Sequence, residues 1–251
     1  MRNGTPHIAS LCRTLATLEA VVEDGGRSNV SALARAIDMP VATAHRQVST
    51  LVAEGYLKPC GGGRHIAGPR LLGLMHRLDE KQVIANVAAP FLHRLAGDLR
   101  TVVQLGTLEN DMVTYRIKTG EGAGSLFTRI DMQLEAYCSG IGKVLLAYLP
   151  QDQRAAYVAT GPFVPLTART IIDPTLLAME LAAAKDQGFA IDDGEIADDL
   201  RCMAVPICHP DGRVLASISV SQSGPPFRHP DEYLLERLKM AAVDIERAAF
   251  S

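Results

Sequence analysis

The sequence predicts an α+β chain in two parts: a small N-terminal unit of helices closed by a hairpin, and a larger unit of helices around a central antiparallel sheet, joined by a helical connector. Three observations predict it. Apolar residues recur at helical spacing through the first 54 residues, then give way to a short hairpin pattern around Gly61-Gly62-Gly63. Two further hairpin patterns centre on Glu109-Asn110-Asp111 and His209-Pro210-Asp211-Gly212. Helical patterns stand between and after them, a mixture that suggests helices packed on an antiparallel sheet.

The first helix is predicted over 10–24. Leu11, Leu15, Leu18, Val21 and Val22 carry its apolar side, Ser10 can cap it and Gly25-Gly26 stop it. A short second helix starts near Ser31, with Leu33, Ala34 and Ile37 inward. Asp38-Met39-Pro40 turns the chain, and Pro40 suits the first position of a third helix, where its missing N–H costs nothing. That helix runs to Glu54 on the apolar side Ala44, Val48, Leu51 and Val52, and Gly55 ends it. Strands at 56–58 and 64–66 flank the triple glycine. Helix, short helix, tight turn, helix and hairpin is the order of a winged helix–turn–helix, assigned here to residues 1–68.

A connector helix is predicted over 69–81, from Leu71, Leu72, Leu74, Met75 and Leu78. The second domain spans 82–251. It opens on a helix over 83–99 that Pro90 is expected to bend. Strands at 102–108 and 112–117 follow, then helices at 141–148, 151–159 and 174–187. Strands at 202–208 and 214–221 and an amphipathic helix at 230–250 complete it.

The chain has 251 residues, 47% hydrophobic and 21% charged, a balance that argues against disorder. Its formal charge is −3, so it is no polycation, and any nucleic-acid surface must be local. The first 70 residues hold eight basic and five acidic side chains, which leaves −6 on the remainder. Five cysteines (Cys12, Cys60, Cys138, Cys202, Cys208) form no pairing pattern, which suits a reducing interior. The start has no secretory-signal pattern, and no apolar run approaches the roughly 20 residues of a membrane span. The expectation is a cytoplasmic protein without a membrane contact.

In a helix–turn–helix the first turns of the recognition helix meet base edges in the major groove. Here Thr43, Arg46 and Gln47, three and four apart, are expected to face outward. Arg46 can pair with guanine or phosphate, Gln47 with adenine, and Thr43 with phosphate or a thymine methyl. Arg13, Arg35, Lys58 and Arg64 would hold phosphates, and His45 either packs or faces phosphate. Against this, Arg and Gln on a helix are often only solvated, and such a domain can also bind protein.

Several blocks carry a resemblance. Val30-Ser31-Ala32-Leu33-Ala34-Arg35-Ala36, Pro40-Val41-Ala42-Thr43-Ala44-His45-Arg46 and Leu51-Val52-Ala53-Glu54-Gly55-Tyr56-Leu57 stand in the first domain. Gly140-Ile141-Gly142-Lys143-Val144-Leu145-Leu146-Ala147, Gly188-Phe189-Ala190-Ile191-Asp192-Asp193 and Leu200-Arg201-Cys202-Met203-Ala204-Val205-Pro206 stand in the second. Together they resemble the isocitrate lyase regulator (IclR) family of bacterial transcription factors over almost the whole chain. The resemblance implies a GAF-like effector-binding domain, DNA contacts by Thr43 and Arg46, and pocket roles for Gly140, Ile141, Asp192, Cys202, Ser219 and Ser221. It also implies a homodimer, or a dimer of dimers, on a near-palindromic operator.

The chemistry of those positions suits a small organic acid. Gly140 and Ile141 open a helix whose N–H groups can cradle a carboxylate. Ser219 and Ser221 lie two apart on a strand and share a face. Cys202 can give a weak donor and Asp192 an acceptor. Tyr137, just before the glycine, either reaches the ligand or packs. Each has a plainer reading: solvent-facing serines, an inert cysteine, a turn aspartate. The rival function is an enzyme using Cys202 as nucleophile with His209 as base. No Gly-x-Ser-x-Gly, P-loop or His-Glu-x-x-His pattern supports catalysis, and Cys60 with His65, or Cys208 with His209, does not make a four-ligand zinc set. No metal or cofactor is expected.

Overall fold

The computed structural model describes residues 7–224 and 226–250. Arg2, counted above among the basic residues, and the rest of residues 1–6, on which the reading of the start rests, lie outside them. The chain divides into two compact units, Met1–Asp79 and Glu80–Ser251.

In the first unit α1 (Ala9–Asp24), α2 (Val30–Ala36) and α3 (Val41–Ala53) enclose a core of Val21, Val30, Ala34, Ala44, Val48, Leu51 and Leu57. The hairpin β1 (Leu57–Gly61) and β2 (Arg64–Ala67) closes it, and α4 (Pro69–Met75) leaves it. This is the expected winged helix–turn–helix, with corrections at its helix starts. Ser10 does not cap α1: Ile8 holds the cap position, and the Ser10 carbonyl instead accepts from Thr14 Oγ1 at 2.9 Å. Pro40 is the N-cap of α3 and not its first helical residue, because its ψ of 125° is extended; its carbonyl accepts from the Thr43 and Ala44 N–H groups. Asn29 caps α2, its side chain accepting from the Ala32 N–H.

The wing is tied to the end of α3 by main chain. Gly68 N–H donates to Tyr56 O at 2.7 Å, and Arg70 N–H to Gly55 O at 3.2 Å. Any Cβ at residue 68 would lie 2.3 Å from Gly55 O, so only glycine permits this crossing. The connector predicted over 69–81 is shorter than expected: α4 stops at Met75, and Lys81 belongs to the next helix. Glu80, whose charge suits a helix start, opens that helix three residues before the predicted position.

The second unit is a six-stranded antiparallel sheet in the order β5-β4-β3-β8-β7-β6. Its strands are β3 (Val102–Glu109), β4 (Met112–Thr119), β5 (Gln133–Glu135), β6 (Ala190–Asp193), β7 (Leu200–Cys208) and β8 (Val214–Ser223). β3 and β4 turn on Asn110 and Asp111, both at positive φ, as a two-residue hairpin requires. One face buries Val103, Leu105, Met203, Val205, Ile218 and Val220 under α5 (Glu80–Leu99) and α9 (Asp231–Phe250). Pro90 lies inside α5 without ending it. On the other face sits α6 (Gly140–Ala147), followed by α7 (Gln151–Val158) and α8 (Pro174–Gln187). A Cβ at Gly142 would lie 2.2 Å from Ala136 O, so glycine lets α6 press on the preceding segment. The two short strands β5 and β6 were not predicted, being three and four residues long at the sheet edges.

Candidate functional sites: a basic helix face and a buried polar cluster

In the first unit Ala44, Val48 and Leu51 point into the core, and the opposite side of α3 is open. Arg46 stands on that open side, exposed, and among the described residues no hydrogen bond or ion pair ties its guanidinium. Thr43 is half-buried on one flank. His45, exposed on the other, has Nε2 3.4 Å from Ser31 Oγ, which links α3 to α2. Gln47 departs from the expectation. It is half-buried, and its Oε1 accepts from Thr17 Oγ1 at 2.7 Å. The reason is angular: Gln47 precedes buried Val48 and lies three residues after buried Ala44, so it belongs to the flank that meets α1. Arg13, Arg35, Lys58 and Arg64 are all exposed, and Arg64 Nε donates to Gly61 O across the wing turn.

In the second unit strand register builds the other site. Asp192 pairs with Cys202, and Cys202 with Ser221; Ala204 pairs with Ser219, and Ser219 with Gln104. Side chains alternate along β8, so Ser217, Ser219 and Ser221 turn to the α6 side while Ile218 and Val220 turn away. Ser219 Oγ lies 3.4 Å from Ser221 Oγ, Ser221 Oγ donates to Gln104 Oε1 at 3.0 Å, and Gln104 Nε2 donates to Thr128 Oγ1 at 2.8 Å. All four residues are buried.

The start of α6 sits on this row. A Cβ added at Gly140 would be 3.5–3.6 Å from Ala204 Cβ, Cys202 Cβ and Asp192 N. Ser139 caps the helix, its Oγ accepting from Gly142 N–H and its carbonyl from Lys143 N–H. The N–H groups of Gly140 and Ile141 precede those bonds and are the ones a helix start offers to an anion. Asp192 is fully buried. Its Oδ1 accepts from Glu195 N–H at 2.7 Å, while Oδ2 has no partner among the described residues. Burial, helped by the nearby Glu195 charge, raises its pKa to about 7. Burial also pushes the Cys202 thiol well above the usual thiol range, with Asp192 adding to the effect. His209, the imagined base, pairs instead with Asp211 and sits edge-on to Phe250. Cys202 is therefore a neutral wall group and not an activated nucleophile.

Tyr137 packs. Its hydroxyl donates to Val164 O at 2.7 Å and its ring stacks on Phe163 at 4.7 Å, the packing alternative of its two readings. Ser221 also lines a cleft of about 170 Å³ with Val102 and Leu126, whose rim holds Arg100, Glu121 and Arg228.

Three contributors were given no role in the sequence reading. Lys143 is 1% exposed, with Nζ 2.5 Å from Glu195 Oε1 and 3.0 Å from Glu180 Oε1. Burial works against its charge, but the two carboxylates prevail and hold its pKa above the ordinary value. Gln104 and Thr128 close the serine chain. A lysine within the run Ile141-Gly142-Lys143-Val144-Leu145-Leu146 and a glutamine within Val102-Val103-Gln104-Leu105 were the available signals, since a polar residue in an apolar stretch needs a partner.

Among the described residues no helix is long and apolar enough to cross a membrane. Residues 76–247 match the family described as bacterial transcriptional regulator IclR C-terminal, and residues 10–59 match the IclR helix-turn-helix domain. The Pca regulon regulatory protein of Pseudomonas putida is 30% identical over 216 residues, 85% of this chain and 74% of that one. The transcriptional repressor IclR of Escherichia coli is 26% identical over 244 residues, 93% of this chain and 86% of that one. Among solved structures, an IclR homolog from Microbacterium hydrocarbonoxydans complexed with 4-hydroxybenzoate is similar with a TM-score of 0.62 and 29% identity, over 96% of this chain and 98% of that one. The repressor BlcR of Agobacterium tumefaciens is similar with a TM-score of 0.69 and 25% identity, over 97% and 98%.

Proposed function

The chain belongs to the IclR family of bacterial transcriptional regulators, and from that premise we propose that it is a cytoplasmic regulator whose operator affinity is set by a small organic acid. The observation that carries the effector half is the buried polar row: an unpartnered Asp192 oxygen and two serine hydroxyls that strand register gathers near the start of α6 and its two free N–H groups. An unpartnered buried oxygen is costly unless something polar meets it. The 4-hydroxybenzoate held by the Microbacterium relative supports the acid class.

Arg46 and Thr43 read bases or phosphate from the open side of α3, with Arg13, Arg35, Lys58 and Arg64 on phosphates and His45 at the edge. Gln47 supports the helix from behind. Ile8, Leu11, Leu15 and Val22 leave an exposed apolar stripe along α1 at alternating spacings of three, four and seven, a seam suited to a second copy. The dimer then sets two α3 helices on a near-palindromic operator, one per half-site. The acid changes DNA affinity by binding one arrangement of the protein better than the other. The regulated genes belong to the breakdown of that acid.

A gel-shift titration on the chain's own promoter, with and without carboxylic and aromatic acids, tests this. Retarded DNA whose midpoint moves with one acid is the expected result. DNA binding indifferent to every acid, together with no acid raising the melting temperature, would overturn the effector half.

A further inference from the structure

Lys118 on β4 has a place in the polar cluster that neither the sequence blocks nor the serine row reveals. It pairs in register with Gln104 on β3, which pairs in turn with Ser219 on β8. Residues paired across strands share a face, so Ser219, Gln104 and Lys118 form one polar row across three strands. The Lys118 ammonium donates to Leu126 O at 2.8 Å and to Thr128 O. Those carbonyls belong to the segment after β4 that meets the polar row. Thr128 accepts from Gln104, and Leu126 packs with Val102, Leu200 and Cys202.

Lys118 differs from most half-buried cations of this unit in its charge balance. Lys143 has Glu195 and Glu180, Arg116 has Glu109 and Arg201 has Asp231, while Arg154, like Lys118, donates to a main-chain carbonyl. Among the described residues no carboxylate lies within ion-pair distance of Lys118; its partners are neutral carbonyls. Burial, and the neighbouring charge of Arg129, lower its pKa, the mark of a positive charge short of compensation. The cleft that reaches Ser221 carries two arginines and one glutamate at its rim, so it too favours an anion.

We propose that Lys118 is a specificity-determining residue of the effector site, pairing with a second acidic group so that the preferred ligand is a short dicarboxylate. This rests on the acid-sensing reading above. One carboxylate lies at the start of α6 with Ser219 and Ser221. The other lies beside Lys118 and Gln104, two strand spacings or about 10 Å away along the sheet before side chains reach inward. A charge-assisted bond at this half-buried position discriminates between an acid and a methyl group.

The test uses the full-length protein and straight-chain dioates of four to eight carbons, each against the mono-acid of equal length, by calorimetry. At least one dioate binds roughly tenfold or more tightly than its mono-acid, a gap of about 1.4 kcal/mol. Lys118→Met removes that gap while leaving the mono-acid affinity in place, and Lys118→Arg, which keeps the charge, restores most of it. Ser221→Ala weakens both ligands of a pair. If mono-acids bind and no dioate is preferred, this proposal fails while acid sensing stands. If Lys118→Met weakens both members of a pair equally, the residue only holds the segment after β4 and the proposal also fails. If no acid of either series binds the parent protein, the acid-sensing reading falls and takes this one with it.

Discussion

The two units hold their functional polar groups in opposite ways. In the first, Arg46, Arg13, Arg35, Lys58 and Arg64 stand exposed around a small apolar core and contribute little to one another. In the second, Asp192, Glu195 and Lys143 form one buried hydrogen-bonded set and Ser219, Ser221 and Gln104 another. An exposed group can be removed without disturbing the fold, because water replaces it. A buried one cannot, because its partner is left with neither water nor bond. Function is thus separable from stability in the N-terminal unit and bound up with it in the C-terminal unit.

That contrast can be broken at several points. The largest effect is expected at Lys143. Lys143→Met strands Glu195 and should cost about 3–5 kcal/mol in urea unfolding; a loss below about 1 kcal/mol would mean that the buried network is not coupled to folding. Asp192 comes next. Its pKa of about 7 lies above the unfolded value of 3.8, so its favourable contribution is complete below pH 4 and is lost as pH rises towards 7. Asp192→Asn keeps the acceptor for Glu195 N–H and should stabilise the protein at pH 8 by up to about 4 kcal/mol, with little change at pH 4. Equal effects at both pH values would show that ionisation is not the cause.

Arg46→Ala should weaken operator binding by about 1–3 kcal/mol in a gel-shift titration while moving unfolding stability by less than about 0.5 kcal/mol. A large stability loss would place Arg46 in the structural class and undo the contrast from the other side. The smallest and most discriminating case is Gln47, which sits on the boundary. Gln47→Ala leaves the buried Thr17 hydroxyl without its α3 partner, and should lower stability by about 1 kcal/mol. An unchanged melt with weakened DNA binding would return Gln47 to the outward face.

The same contrast explains what could be read without coordinates. Helical spacing located α1 to α3, and the order of elements identified the winged helix–turn–helix, because a helix face follows from local periodicity. Arg46 was legible for that reason. Gln47 was not, since spacing from Thr43 and Arg46 ignores how wide the buried stripe is. In the sheet, Ser219 and Ser221 were legible as a pair on one strand. Gln104, Thr128 and Lys118 were not, because they join the serines only through the register of β3, β4 and β8. The edge strands β5 and β6 were too short to show a period. Tyr137 was placed near the right element, but its hydroxyl went to Val164, a loop carbonyl that no local pattern announces.

The crossing at Gly68 has a mechanical consequence. The residues that begin α4 are bonded, backbone to backbone, to the last turn after α3, with no side chain between them that could flex. A torque applied to α4 therefore has no slack to take up before it rotates the reading helix, and a side chain in place of that single hydrogen atom would prise the two apart.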